Sequence, residues 1–493
     1  MGVINMSTVF NHEKYIEIQA EEILSRIEKF DNKLYLEFGG KLFDDYHASR
    51  VLPGFQIDTK IQMLSTLKDR TEYIIVANAN DIEENKIRAD INISYENDVL
   101  RLVNKFKEFG IETGSVVINQ FSNQPNTMRF MRKLKNSGIP FYKAYRIDNY
   151  PYDTDLILSE KGFGKNEFVP TVKPLVVVTA PGPGSGKMSI CLSQLYNENK
   201  RGVKAGYAKY ETFPVWNLPL RHPVNLAYEA ATTDLSDVNM IDQYHLEYYG
   251  VSTVNYNRDI DVFPVLNKMF KMIYGESPYH SPTDMGVNKV GFCIDDMDGA
   301  IEASKKEILR RYYANLVNVK TGKWSEQSLN RMVSIMEELD LTIDDRKVAA
   351  AAREKKKKCK LDVAAIELHD GTIITGKLTD ELMPPSTMML NALKHLAGVD
   401  DAVMVLSPDI IQRIKTMKEN VLRQNNSRLH LDELLIILSV ETRNDPLCQL
   451  LLDQVDKIRG CEAHSTYIGS AKSEQVFKRL GINITCEPTQ IIK

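Results

Sequence analysis

The sequence predicts a multidomain α/β protein built from three-layer α/β/α units, with a helical subdomain and a further α/β domain toward its C-terminal end. Three observations carry this. Short runs rich in valine and isoleucine alternate with segments whose apolar residues recur at helical spacing, the pattern of parallel strands covered by helices on both faces. A strand-like run, Leu175 to Thr179, enters a glycine-rich turn that opens a helix. At 493 residues the chain exceeds one ordinary domain, and its length suggests about three.

Taken in order, Ile16, Ala20, Ile23, Leu24 and Ile27 share one face of a helix over Tyr15 to Phe30, and Lys33 to Phe38 follows as a strand. Asp58 caps a helix carrying Ile61, Leu64 and Leu67, and Tyr73 to Ala77 is a strand. Val99, Leu100, Val103 and Phe106 make a helix stopped by Gly110, ahead of a strand at Ser115 to Ile118. Met131 and Leu134 belong to a helix ended near Gly138, and Phe141 to Tyr145 is a strand. These elements make residues 1–165 one N-terminal α/β domain, closed by a glycine- and proline-bearing crossing segment at Lys161 to Lys173.

Residues 166–298 read as a second, Rossmann-like or P-loop-like α/β domain, with strands at Leu175 to Thr179 and Gly202 to Tyr210. Pro264 marks the start of a helix carrying Val265, Leu266, Met269, Phe270 and Ile273. Val290 to Asp296 has the form of a Walker B strand ending in acid, or of a strand end that caps the helix from Ala300. Two amphipathic helices, one with Ile308, Leu309 and Leu316, the next with Met332, Val333 and Met336, precede a cationic helix-prone run at Arg346 to Lys360. Residues 299–360 are therefore a helical subdomain and connector.

In the last stretch, 361–493, Asp370-Gly371 between two β-rich runs signals a hairpin over Val363 to Lys377. Ser386 caps a helix stopped by Gly398, and Ala402 to Leu406 reads as a strand. Helices at Pro408 to Leu422, Leu431 to Leu438 and Pro446 to Ile458 lead to a strand at His464 to Ile468, a helix at Glu474 to Leu480 and a strand at Ile482 to Cys486. That order is similar to the cytidine-deaminase fold. The zinc signature of deaminase chemistry, H-x-E with P-C-x-x-C, is absent, and Cys461 with His464 supplies too few ligands, so no zinc is expected.

The chemistry concentrates in four stretches. Gly182, Gly184 and Gly186 let the backbone approach a ligand and aim N–H groups at it, and the helix opened by Lys187 adds partial positive charge. A Walker loop reads G-x-x-x-x-G-K-[ST]; here Pro181 replaces the first glycine and Met188 the hydroxyl residue, while Ser185 and Ser189 are out of register. The turn is thus either a phosphate cradle or a device for tight strand–helix packing. Gly39, Gly40 and Lys41 close a strand ahead of Asp44, Asp45, His47 and Arg50, a loop that looks like a site. Tyr207 to Pro223 carries Lys209, Glu211, Trp216, Arg221 and His222, and Asp242 to Asp261 carries His245, Tyr248, Arg258 and Asp259. Such mixtures of aromatics and charges mark ligand loops, or aromatic anchors with satisfied tips.

Composition narrows the partners. With 62 basic and 66 acidic residues and an isoelectric point near 6.2, nothing favours nucleic acid or an anionic membrane. The six cysteines are scattered without a C-x-x-C pair and read as free thiols in a reducing compartment. With no signal-like start at Met1 to Phe10 and no run of about 18 apolar residues, a cytoplasmic protein is expected.

The segments F-G-G-K-L-F-D-D-Y-H-A-S-R-V-L-P-G-F at 38–55, A-P-G-P-G-S-G-K-M-S at 180–189 and G-Y-A-K-Y-E-T-F-P-V-W-N-L-P-L at 206–220 resemble one bacterial family over essentially the whole chain. N-Y-N-R-D at 255–259 and G-C-E-A-H-S-T at 460–466 agree with it. This is uncharacterised protein family 0371, also described as domain of unknown function 1846. The resemblance implies a shared fold and transfers no activity, so function rests on the residues.

Three readings follow. The first is an enzyme that binds ATP or another phosphorylated small molecule and moves or cleaves a phosphoryl group. The glycine turn with Ser185 or Ser189 holds phosphate, Lys187 neutralises charge, and Asp295 or Asp296 holds Mg²⁺. Lys209, Glu211, Arg221 and His222 then recognise the second substrate, Arg258 and Asp259 are further candidate catalytic residues, and Gly39, Gly40 and Lys41 contribute from the neighbouring unit. The second keeps the anion without ATP, as a phosphosugar or nucleotide-sugar hydrolase or transferase. The third is a ligand-sensing or assembly protein, and in each a homo-oligomer is expected.

Overall fold

The computed structural model describes residues 8–88, 91–235 and 237–490. Seven strands form one sheet: β1 Leu34–Phe38, β2 Thr71–Asn78, β3 Gly114–Asn119, β4 Phe141–Lys143, β5 Leu175–Thr179, β6 Gly206–Tyr210 and β7 Gly286–Val287. Their spatial order is β7-β6-β1-β5-β2-β3-β4, and every neighbouring pair is parallel. This Rossmann-like core corrects the boundary expected at residue 165. Strands of the two expected N-terminal domains interleave, since β5 enters the gap that the chain leaves between β1 and β2. Residues Met1–Glu229 with Asp237–Ser304 form one compact unit.

The central strands are buried along almost their whole length because helices cover both faces. β1 and β5 are buried at every position. Against the face carrying Phe38 and Tyr210 lies α1 (His12–Glu28), where the Tyr15 and Tyr210 hydroxyls meet at 2.6 Å and Phe38 stacks on Tyr210 with centroids 4.3 Å apart. On the same side Phe106 of α2 (Tyr95–Glu108) stacks on Tyr73 at 4.2 Å. The opposite face, carrying Tyr35 and Glu37, is covered by α3 (Lys187–Lys200), whose Glu198 accepts a 2.8 Å hydrogen bond from Tyr35.

Two expectations in this unit are corrected. Pro264 does not begin a helix: α4 spans Asn257–Tyr274 and contains it. Ile260, Phe263, Leu266 and Phe270 hold that helix to the core, so the one backbone bond that proline removes is tolerated. The Walker B strand is absent. Val290–Phe292 is a single 3₁₀ turn, and Ile294 makes only an isolated antiparallel bridge to Phe10. The chain leaves the sheet after Val287 because the Asn288 amide bonds the Pro214 carbonyl at 3.0 Å and the Lys289 N–H is taken by Gln19 at 2.9 Å.

The second unit, Ala230–Ser236 with Lys305–Lys493, is built on a mixed sheet. Its strands are β8 Val363–Glu367, β9 Ile373–Lys377, β10 Glu462–Ser465 and β11 Asn483–Cys486, in the order β9-β8-β10-β11. β8 is antiparallel to both neighbours, and β10 and β11 are parallel. The hairpin expected at Asp370-Gly371 is present. One face buries Ala364, Ile366 and Ala463 against Met388, Met389 and Leu393 of α6 and Leu434 and Leu438 of α7, where α5 is Lys347–Cys359, α6 Pro384–Ala397 and α7 Leu431–Glu441. On the other face Val348 and Ala352 of α5 pack on Val363 and Ala365. The cationic run is therefore a layer of this domain, and residues 305–360 do not form a unit of their own.

Arg346 fixes that layer. It is 4 % exposed, and its guanidinium donates to Glu462 Oε2 at 2.7 Å, Thr485 Oγ1 at 2.7 Å and the carbonyls of Ala463 and Asn483 at 2.8 and 3.0 Å. Ala402 to Leu406 is not a strand: Lys394 Nζ binds the carbonyls of Asp401 and Val403 at 2.9 and 2.6 Å, which turns the segment off any sheet edge. α6 starts two residues before Ser386, whose hydroxyl instead donates to the Leu429 carbonyl at 2.9 Å.

Candidate functional site

In a parallel sheet the loops at the carboxyl ends of the strands face one edge, and ligands favour the point where successive connections diverge. Here the connection from β5 leads toward β6 on one side, and that from β2 leads to β3 on the other. The glycine turn after β5 occupies this point.

The turn is tightly built. Ser185, 1 % exposed, donates its hydroxyl to the Gly182 carbonyl at 2.8 Å, and Asn119 at the end of β3 donates to the Ser185 carbonyl at 2.9 Å. Gly186 caps α3 at φ 92°, and a Cβ there would lie 2.1 Å from Asn119 Nδ2. Gly184, at φ 73°, faces open space, with nothing within 4 Å of a Cβ placed on it. Gly186 serves close packing, while Gly184 leaves the crest of the turn accessible. Ser185 is spent on the turn itself, and Ser189 is engaged by the buried Tyr150 hydroxyl.

No side chain caps the N-terminus of α3. Lys187 is its first residue, and among the described residues its ammonium has neither a hydrogen bond nor an ion pair. Burial lowers its pKa, Glu37 opposes that shift, and the charges of Lys209 and Arg258 add to it. A cation so placed, with backbone N–H groups beside it, is arranged for an anion.

Next to it stands a mixed cluster. The alternation in G-Y-A-K-Y-E puts Tyr207, Lys209 and Glu211 on one side of β6, and register pairs Lys209 with Glu37 of β1. Tyr207 donates to Glu37 Oε2 at 2.8 Å. Lys209 Nζ lies 2.7 Å from Glu211 Oε1, bonds Asp259 in the first turn of α4, and sits 5.4 Å above the Tyr256 ring. Glu37, Glu211 and Asp259 are 7, 4 and 8 % exposed. Burial drives the Glu211 carboxyl up to about 8, Lys209 pulling it down and Asp259 pushing it further up. Burial opposes charge on Lys209, yet Asp259, Glu211 and Glu37 together hold its pKa above the ordinary lysine value.

The remaining sequence candidates divide. Gly39 donates to the Tyr210 carbonyl at 2.9 Å, and Lys60 clamps the following turn through the Lys41 carbonyl at 3.0 Å and Asp45 at 2.7 Å, so Gly39, Gly40 and Lys41 shape the edge beside Glu211. Arg258 lies on α4 next to Asp259 and pairs with Asp237 at 2.9 Å. Arg221 pairs with Glu229 at 3.4 Å, and His222, its pKa lowered by burial, accepts from the Val224 N–H within its own turn. Asp295 accepts from Asn11 at 2.9 Å, and Asp296 caps the helix after it through the Gly299 N–H at 3.0 Å. Neither acid follows a sheet strand, so the Walker B form on which their expected metal role rested is not there. Among the described residues no group of three or more His, Cys, Asp or Glu side chains is placed to hold a metal ion, and no helix is long and apolar enough to cross a membrane.

Glu37 and Asn119 escaped sequence reading. The one available signal for Glu37 was an acid inside the apolar run L-Y-L-E-F. Gly186→Ala tests the turn: the positive φ and the Asn119 amide both resist a methyl group, so a loss of about 1–3 kcal/mol in stability is expected in urea titrations, with a weaker anion site in calorimetry.

Residues 8–340 match the family model described as domain of unknown function DUF1846, N-terminal, and residues 344–491 match its C-terminal counterpart. The chain is 49 % identical over 484 residues to a UPF0371 protein of Streptococcus pyogenes serotype M28, covering 98 % of both chains. It is 48 % identical over 479 residues to one from Streptococcus pneumoniae strain CGSP14, covering 97 % of both. A third, from Streptococcus thermophilus, is 49 % identical over 479 residues with the same coverage. The chain belongs to the UPF0371, or DUF1846, family.

Proposed function

We propose that this UPF0371 protein binds a phosphorylated small molecule at the carboxyl edge of the seven-stranded sheet and transfers or cleaves its phosphoryl group. The observation that carries the reading is the unpaired Lys187 ammonium at the uncapped start of α3, directly after the exposed crest at Gly184. Phosphate oxygens would take the free N–H groups of the turn, and Lys187 would neutralise charge as a bond to phosphorus breaks. The cluster of Lys209, Glu211 and Asp259 would handle the group that attacks or leaves, with Arg258 at its rim. ATP with Mg²⁺ is one ligand of this class. The order and directions of β8 to β11 support a deaminase-like topology for the second unit, without the zinc chemistry of deaminases.

Lys187→Ala tests the assignment, because the lysine makes no bond that folding depends on. Unfolding midpoints should stay within experimental error, while affinity for ATP with Mg²⁺ or for a sugar phosphate falls about 10–100-fold in calorimetry, the worth of one charge-assisted contact. Unchanged affinity for every phosphorylated compound that the wild type binds would remove the reading.

The lack of a Walker B strand before Asp295 and Asp296 favours a second version, a phosphosugar or nucleotide-sugar site that does not use ATP. A thermal-shift screen separates the two. A ligand at 100 times its Kd adds about 2.7 kcal/mol of stability, so ATP with Mg²⁺ or sugar phosphates will identify themselves by which raises the midpoint.

A further inference from the structure

Two carboxyl groups in the cluster share one ammonium. Glu211 and Asp259 both bond Lys209 Nζ, and they are 4 and 8 % exposed. Two ionised carboxylates on one buried ammonium leave a negative charge in excess, which desolvation and like-charge repulsion both disfavour. Among the described residues no second cation is in contact with the pair. Glu37 of β1 adds negative charge beside Lys209, and Tyr256 and Tyr228, the nearest groups on the elements packed against the pair, are neutral phenols whose pKa values burial raises. A proton on Glu211 removes that excess, beside the turn where an anion would sit.

We infer that Glu211 and Asp259 act as a single acid–base pair for this site, with a proton that an arriving anion draws in and that an oxygen of the phosphorylated ligand can then take or return. The inference rests on the phosphate-site reading and gives it a chemical consequence. A negative charge bound at Gly184 to Lys187 disfavours a second negative charge at Glu211, so anion binding and proton uptake are linked. The ligand class that uses such a pair is a phosphate ester, whose attacking or departing oxygen must lose or gain a proton.

Sulfate is the probe, because it carries two negative charges and does not titrate near neutrality. Calorimetry of sulfate binding to the full chain at pH 8, in two buffers of different ionisation enthalpy, reads the protons exchanged. Uptake of several tenths of a proton per sulfate is expected for the wild type and none for Glu211→Gln. The same uptake in Glu211→Gln would overturn the pair, as would sulfate binding to the wild type with no proton change. A ¹³C-carboxyl titration of the unliganded protein gives the independent arm. Glu211, identified by its missing signal in the glutamine variant, should titrate well above ordinary glutamates and move down in Asp259→Asn, where burial alone still raises it. An ordinary midpoint in the wild type sinks the proposal. A raised midpoint in a protein that binds no sulfate keeps the shared proton and removes the phosphate reading instead.

Discussion

Arg346→Ala should cost the second unit about 3–5 kcal/mol, the loss expected when one partner of a buried charge pair is removed. Alanine leaves the Glu462 carboxylate with Arg310, at 2.5 Å, and the Asn483 amide, at 3.1 Å, and leaves the carbonyls of Ala463 and Asn483 and the Thr485 hydroxyl without the guanidinium that joins them. All four acceptors lie on or next to β10 and β11, so the loss falls on the sheet and on the α5 layer at once. Urea unfolding followed by near-ultraviolet circular dichroism should show the transition of this unit at lower denaturant. Arg346→Lys should recover little, because one ammonium cannot span acceptors on two strands. Adding Glu462→Gln to the alanine variant should restore part of the loss by removing the exposed half of the pair. If Arg346→Ala shifts the transition by less than about 1 kcal/mol, the network is ornamental and the packing of Val348 and Ala352 alone holds α5.

Most strands of both sheets were legible in the sequence, because β-branched runs between turn residues leave a local signal. What the sequence hid was pairing across long separations. β5 inserts between β1 and β2 although more than 90 residues separate it from β2, and no local periodicity records that insertion. The same limit explains the boundary placed at residue 165 and the missed Glu37, which meets Lys209 only through register. Val290 to Asp296 misled for a different reason. Its composition suits a strand, but the side chains of Asn288 and Gln19 capture the preceding backbone and turn it away. The glycine turn was found for its spacing, whereas the feature that singles out Lys187, the lack of a hydrogen bond or ion pair among the described residues, exists only in the folded chain.

Lys209→Met should be as costly as Arg346→Ala at pH 8 and much less so at pH 5, and the difference is what identifies the cluster. Methionine fills a similar volume, so packing is largely kept, but Glu37, Glu211 and Asp259 lose the ammonium they surround. Buried carboxyls without a cation titrate above their unfolded values. Between those two values the folded state binds more protons than the unfolded state, so stability falls as pH rises, by about 1.4 kcal/mol per pH unit for each extra proton. The wild type already carries one such group in Glu211, which should tilt its own stability downward between about pH 4.5 and 8. The methionine variant should steepen that slope, with a deficit of about 1–2 kcal/mol at pH 5 growing to about 3–5 kcal/mol at pH 8. Combining it with Glu211→Gln should flatten the slope again, because one of the orphaned charges is gone. Urea titrations at pH 5, 6.5 and 8 decide the matter. A deficit that does not change with pH would mean that Lys209 supports the sheet edge by its methylene stem and its contact with Tyr256, with the carboxyl groups independent of it.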